Sequence, residues 1–106
     1  MPGQYSVYVV ALEADALKHA SFREANPNHI PGKPCLYVGM TSKTPDERFQ
    51  QHKSGYKASK YVKRYGKWLR RRLYEHHNPL THDQAVELEV TLAESLRDKG
   101  YAVWQK

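Results

Sequence analysis

Hydrophobic and polar positions divide the chain into a few short elements. Gln4 to Leu12 (QYSVYVVAL) is dense in valine and tyrosine and predicts a strand. Glu13 to Pro34 is polar and closes in the turn-prone NPNHIPGKP. Its first half, Ala14 to Ala25, suits a short helix with Leu17 and Phe22 turned inward. Cys35 to Thr41 (CLYVGMT) predicts a second strand, in which Gly39 lets backbone or ligand come close. Thr44, Pro45 and Glu47 supply the N-cap, first residue and capping box of a helix. That helix runs to about Lys53 and stops at Gly55. A second short helix, Lys60 to Tyr65, sits between Ser59 and Gly66. Leu69 and Leu73 alternate with charge, so Trp68 to Tyr74 predicts a third strand. Thr81 and Gln84 form another capping box for a helix from about His82 to Lys99, closed by Gly100. Tyr101 to Trp104 reads as a short extended tail. The order is strand, strand, helix, helix, strand, helix. It predicts an α+β fold: a small antiparallel sheet of three strands flanked by helices.

The last helix carries a charge in an unexpected place. Ala85, Leu88, Leu92 and Leu96 fall on one narrow stripe at helical spacing, and Glu89 lies inside it. Glu87 and Glu94 lie on the opposite face. A carboxylate facing a core needs a cation, a metal or a buried donor. An arginine salt bridge at the core edge satisfies that need as well as a metal does. On the first long helix, Arg48 and His52 stand one turn apart on a face that Phe49 anchors. Arginine's planar fork suits phosphate, and histidine suits proton transfer near neutral pH. His52 read alone is an ordinary core-edge histidine, and Tyr8 and Tyr37 read alone are strand packing. His76, His77 and His82 show no metal-ligand spacing and receive no role.

Charge changes this picture. The chain has 106 residues and a formal net charge of +6. Its length allows one domain, residues 1–106, with 13–34 as a long connection between the first two strands. From Arg48 to Tyr74 there is no acidic residue, yet ten of the 17 lysines and arginines lie there. Phe49, Tyr56, Tyr61, Tyr65, Trp68 and Tyr74 are interleaved with them. Clustered cations with aromatic faces favour a nucleic-acid partner over an idle solvated face. One cysteine, Cys35, rules out an internal disulfide and favours a reducing compartment. No apolar run has the length of a membrane span, and the first residues lack the apolar core of a signal peptide. A soluble cytoplasmic protein is expected, with no membrane partner.

Taken in order, SVYVV, LYVGMT, ERFQQHKSG and AVELE resemble the GIY-YIG nucleases, from about Tyr5 to Leu96. Val7 and Tyr8 match the end of the GIY element, and Tyr37, Val38 and Gly39 match YIG. Arg48 falls at the family's helix arginine, His52 at a frequent histidine and Glu89 at the metal-binding glutamate. Two departures stand out: Ser6 replaces the GIY glycine, and the connection between the two tyrosines is longer. The resemblance implies a Mg²⁺-dependent endonuclease acting on DNA, with Mn²⁺ as a possible substitute. Tyr8, Tyr37, Arg48, His52 and Glu89 are the implied catalytic residues, and Glu89 the metal ligand. Tyr8 is favoured as the base, with Tyr37 in support and His52 or Lys43 lowering its pKa. Gly39, Lys43, Lys57, Lys60, Lys63 and Arg64 are the expected substrate-binding set. A non-catalytic nucleic-acid-binding module with the same fold is the alternative, and a generic basic RNA-binding domain a further one. With no second domain to set specificity, a protein partner or a homodimer is expected to assist.

Overall fold

The computed structural model describes residues 3–105. Ser6–Leu12 (β1) pairs antiparallel with Cys35–Thr41 (β2), with Tyr8 opposite Gly39 and Val10 opposite Tyr37. Two helices follow with the caps expected of them. Pro45–Ser54 (α2) carries a complete Thr44–Glu47 capping box and ends at Gly55, whose φ of 93° is the left-handed conformation that glycine adopts freely. His82–Asp98 (α4) carries the complete Thr81–Gln84 box. Lys60–Tyr65 (α3) lies between them. No described helix is long and apolar enough to cross a membrane.

The sheet differs from the expected one in three places. It has four strands in the order β3-β1-β2-β4, and it is mixed rather than antiparallel. The segment expected as a tail is Ala102–Gln105 (β4), which runs parallel to β2 with Trp104 beside Tyr37. Its Ala102 and Val103 are fully buried, and that burial makes it a strand. The strand expected at Trp68 to Tyr74 forms earlier, at Gly66–Leu69 (β3). Beyond it, Arg71–Leu73 and Glu75–His77 are single 3₁₀ turns. Leu73 and Tyr74 both turn inward, which the alternation of a strand forbids and a tight turn permits. The helix expected over Ala14 to Ala25 is also broken. A 3₁₀ turn, Ala14–Lys18, precedes Ala20–Glu24 (α1), and His19 between them is extended. Phe22 is buried as expected, and Leu17 packs at the core edge.

Alternation places Tyr8, Val10, Tyr37 and Gly39 on one face of the sheet. An aromatic cluster covers that face: Phe22 of α1 meets Tyr61 of α3 at 5.1 Å, and Tyr61 meets Trp104 at 4.9 Å. The opposite face holds Val7, Val9, Leu36 and Val38, all fully buried. α4 packs against β4, β2 and β1.

Two asparagines finish what the strands leave open. The Asn26 side chain accepts from the Val103 N–H (2.7 Å) and donates to the Val103 carbonyl (3.0 Å), imitating a further strand beside β4. Its second N–H reaches the Phe22 carbonyl (2.9 Å). The long connection is therefore a cover over the β4 edge of the sheet. Asn78 does the same beside β1, where β3 no longer reaches. It accepts from the Val7 N–H and donates to the Val7 carbonyl, both at 2.9 Å. β1 is thus held extended up to Tyr8.

Asn26 is buried and all its amide atoms are bonded. Asn26→Ala strands the Val103 amide, so urea denaturation is expected to show a loss of about 2–3 kcal/mol. An unchanged midpoint and slope would remove this cover from the fold's support.

Candidate active site

Tyr8 and Tyr37 lie diagonally across β1 and β2, with ring centroids 6.1 Å apart. Gly39 lies beneath them. A Cβ there would meet the Tyr8 hydroxyl at 2.6 Å, the Tyr8 Cζ at 2.8 Å and the Tyr37 Cε1 at 3.0 Å. The glycine expected to admit a ligand instead admits the two tyrosine rings. Gly39 itself is buried.

His52 of α2 closes over the pair and is 1% exposed. Its Nε2 lies 2.8 Å from the Tyr8 hydroxyl. Its Nδ1 accepts from the Ser59 backbone N–H at 3.0 Å. That amide can only donate, so in the neutral ring the proton sits on Nε2 and is given to Tyr8. The result is a chain of donors from the Ser59 amide through His52 to the Tyr8 oxygen. The Tyr37 ring lies beside Tyr8, and the two hydroxyls feel each other. Burial, more than any neighbour, pushes the Tyr8 hydroxyl far above the ordinary tyrosine value. Burial likewise pushes Tyr37 up to about 12. The Arg48 charge pulls both tyrosines down and the Glu89 charge pushes both up, so all four groups feel one another.

Arg48 is held by three bonds. It donates to Gln51 Oε1 (3.1 Å) and to the carbonyls of Tyr56 (3.2 Å) and Lys57 (2.8 Å), using Nη1 twice and Nη2 once. A guanidinium has five N–H groups. Two are left over, one on Nε and one on Nη2, and such donors suit the oxygens of a phosphate. Glu89 sits on the buried stripe of α4 between Ala85 and Ala93 and is 8% exposed. The stripe's centre is Ala85, Glu89, Ala93 and Leu96, so the carboxylate is deeper in it than the leucine spacing implied.

Arg48 and Glu89 line one open cavity of about 710 Å³. Thr41, Ser42 and Lys43 at the end of β2 also line it, as do Tyr56 and Lys57 after α2. A second cavity of about 360 Å³ shares Arg48 and Lys57 with the first and adds Tyr37, His52, Ser59 and Lys60. Tyr8 lines neither; it supports Tyr37 from below. Lys63 and Arg64 are exposed on α3 and reach neither cavity. Two cations of the basic run are occupied structurally: Lys53 bonds the carbonyls of Lys63 and Gly66, and Arg71 pairs with Asp46. Residue types alone did not point to Ser59, which acts through its backbone. Nor did they point to Tyr5 or His82, which line the first cavity as an edge-to-face pair.

No group of three or more His, Cys, Asp or Glu side chains converges on a metal position among the described residues. Among the described residues, Glu89 is the one carboxylate lining the first cavity. A single carboxylate fits Mg²⁺, which keeps several waters and takes substrate phosphate oxygens. It does not fit a zinc site, which needs three or four protein ligands.

Among known proteins, the model of the GIY-YIG catalytic domain matches residues 31–102. That stretch contains Tyr37, Gly39, Arg48, His52 and Glu89 but stops short of Tyr8, which the sheet register supplies. No curated protein and no solved structure shows a significant match.

Gly39→Ala is expected to move both rings. A displacement of about 1 Å at a reacting group costs on the order of 100-fold in turnover. Near-ultraviolet circular dichroism should report the altered tyrosines while the far-ultraviolet spectrum stays native. Full activity of the Gly39→Ala variant would show that the overlap is relieved without disturbing the site.

Proposed function

This chain belongs to the family of the GIY-YIG catalytic domain, and on that footing we propose that it is a Mg²⁺-dependent endonuclease that hydrolyses DNA phosphodiester bonds. The observation that carries the proposal is the cavity that Glu89 and Arg48 line together. One charge suits a hard cation and the other suits the phosphate that cation would share.

Glu89 would hold Mg²⁺ with water and phosphate oxygens completing its shell. When bound, the ion supplies charge neutralisation at the phosphate and at the leaving oxygen. Arg48 grips the phosphate through Nε and Nη2 and stabilises the charge that builds on it. Tyr37 is assigned to the attacking water, because it lines the second cavity together with Arg48 and His52. Tyr8 and His52 pack against its ring and hold it in place. This differs from the expectation of Tyr8 as base, since Tyr8 lines neither cavity. The phenolate takes a proton from water as the new P–O bond forms. The bond to the leaving ester oxygen breaks, and that oxygen is reprotonated from solvent. Lys43, Lys57 and Lys60 line the cavities, and Lys63 and Arg64 extend a basic flank along α3 for the neighbouring backbone.

Glu89→Ala is expected to abolish Mg²⁺-dependent nicking of plasmid while leaving DNA binding in place. Arg48→Ala should lose about 10²–10³-fold in turnover. Normal cutting by the Glu89 variant ends the metal assignment, and binding without nicking by the wild type leaves a binding module.

The pH profile tests Tyr37. Its pKa is raised, so below about 12 the phenolate fraction grows tenfold for each pH unit. The rate under saturating Mg²⁺ should therefore climb with a log slope near one from neutral into alkaline pH. A flat profile over that range excludes a tyrosine base.

A further inference from the structure

The first cavity extends beyond Glu89 and Arg48 to an aromatic rim. Tyr56 is 56% exposed and Val86 44%, although both line the cavity, so they form its rim. The Lys57 ammonium lies 5.6 Å from the Tyr56 ring centre. Tyr5 and His82 also line the cavity, with rings 5.0 Å apart.

The backbone under Tyr56 is fixed. Lys57 has φ 45°, a left-handed conformation that costs a residue other than glycine about 1–2 kcal/mol. Arg48 fastens the carbonyls of both Tyr56 and Lys57. The residue that grips the scissile phosphate in the proposed reaction therefore also sets the position of an exposed aromatic ring. A ring so placed offers a stacking face to a base next to the cut. In uninterrupted duplex both faces of a base are already stacked; at a branch or single-strand boundary one face is free.

We propose that Tyr56 stacks on an unpaired base flanking the scissile phosphate, so that the substrate is DNA with a branch point or a single-strand boundary rather than continuous duplex. This rests on the nuclease reading for the cut but not for the stacking. Trp68 supplies the internal control. It is 55% exposed with Lys67 4.5 Å from its ring, yet it pairs with Ala11 on the other face of the sheet.

The test compares a plain duplex with a flap of equal length carrying 2-aminopurine at the unpaired branch nucleotide. With Mg²⁺, wild type should cut the flap with a kcat/KM at least about fivefold above duplex, the lower bound for one stacked base. Tyr56→Ala should bring that ratio close to one, while Tyr56→Trp and Trp68→Ala keep it. In EDTA, where nothing is cut, wild type should quench the 2-aminopurine fluorescence and Tyr56→Ala should not. Equal cutting of flap and duplex with no quenching overturns the stacking site and leaves the nuclease standing. Quenching that depends on Tyr56, with no cutting of either DNA, upholds the stacking site and overturns the nuclease. A flap preference that survives Tyr56→Ala also overturns the stacking site.

Discussion

Tyr8 and Tyr37 can lie over the same patch of sheet because residue 39 has no side chain. The register that puts Tyr8 opposite Gly39 brings one ring over the glycine, and the pleat brings the other alongside. Everything chemical in the structure is arranged around that overlap. His52 reaches Tyr8 only because the ring stands at this height above the strand, and the Ser59 amide reaches His52 from the far side. α2 and α3 are therefore joined to the sheet by a line of hydrogen bonds as well as by packing. Asn78 protects the same register from the other direction by occupying the Val7 backbone. A slip of one residue between β1 and β2 would send Tyr8 to the opposite face.

The site is also a balance of charge. Burial holds both tyrosines protonated, and Glu89 adds to that tendency. Arg48 opposes it from across the cavity. A cation on the Glu89 carboxylate would cancel the carboxylate's effect and leave Arg48 to act. The carbonyls of Tyr56 and Lys57 fix the plane of the Arg48 guanidinium in advance.

Much of this was legible in the sequence where the signal was local. The two capping boxes fixed the starts of α2 and α4, because a cap needs only four consecutive residues. Glu89 stood out because helical spacing alone placed it among apolar side chains. What escaped detection depends on distant partners. β4 is four residues long, and only its place beside β2 makes it a strand. The bend at Leu73 and Tyr74 follows from where the core lies, not from their alternation with charge. His52 looked like an edge histidine because its two partners, Tyr8 and the Ser59 amide, lie on other elements. Lys63 and Arg64 were grouped with the cavity lysines by their place in one basic run, but a short helix turns them outward.

The match to the family begins at residue 31, inside the long connection between the two tyrosines. Lengthening a loop is cheap: doubling it adds only about 0.6 kcal/mol of closure entropy. The residues of this connection do more than close the chain. Asn26 completes the β4 edge, Phe22 joins Tyr61 and Trp104, and His19 and Ser21 bond the hydroxyls of Tyr65 and Tyr61. Both tyrosines belong to α3, whose first turn follows Ser59. The connection therefore holds in place the helix whose leading amide sets the His52 tautomer, and through His52 it bears on Tyr8. A segment that precedes β2 thus helps fix which nitrogen of His52 carries the proton.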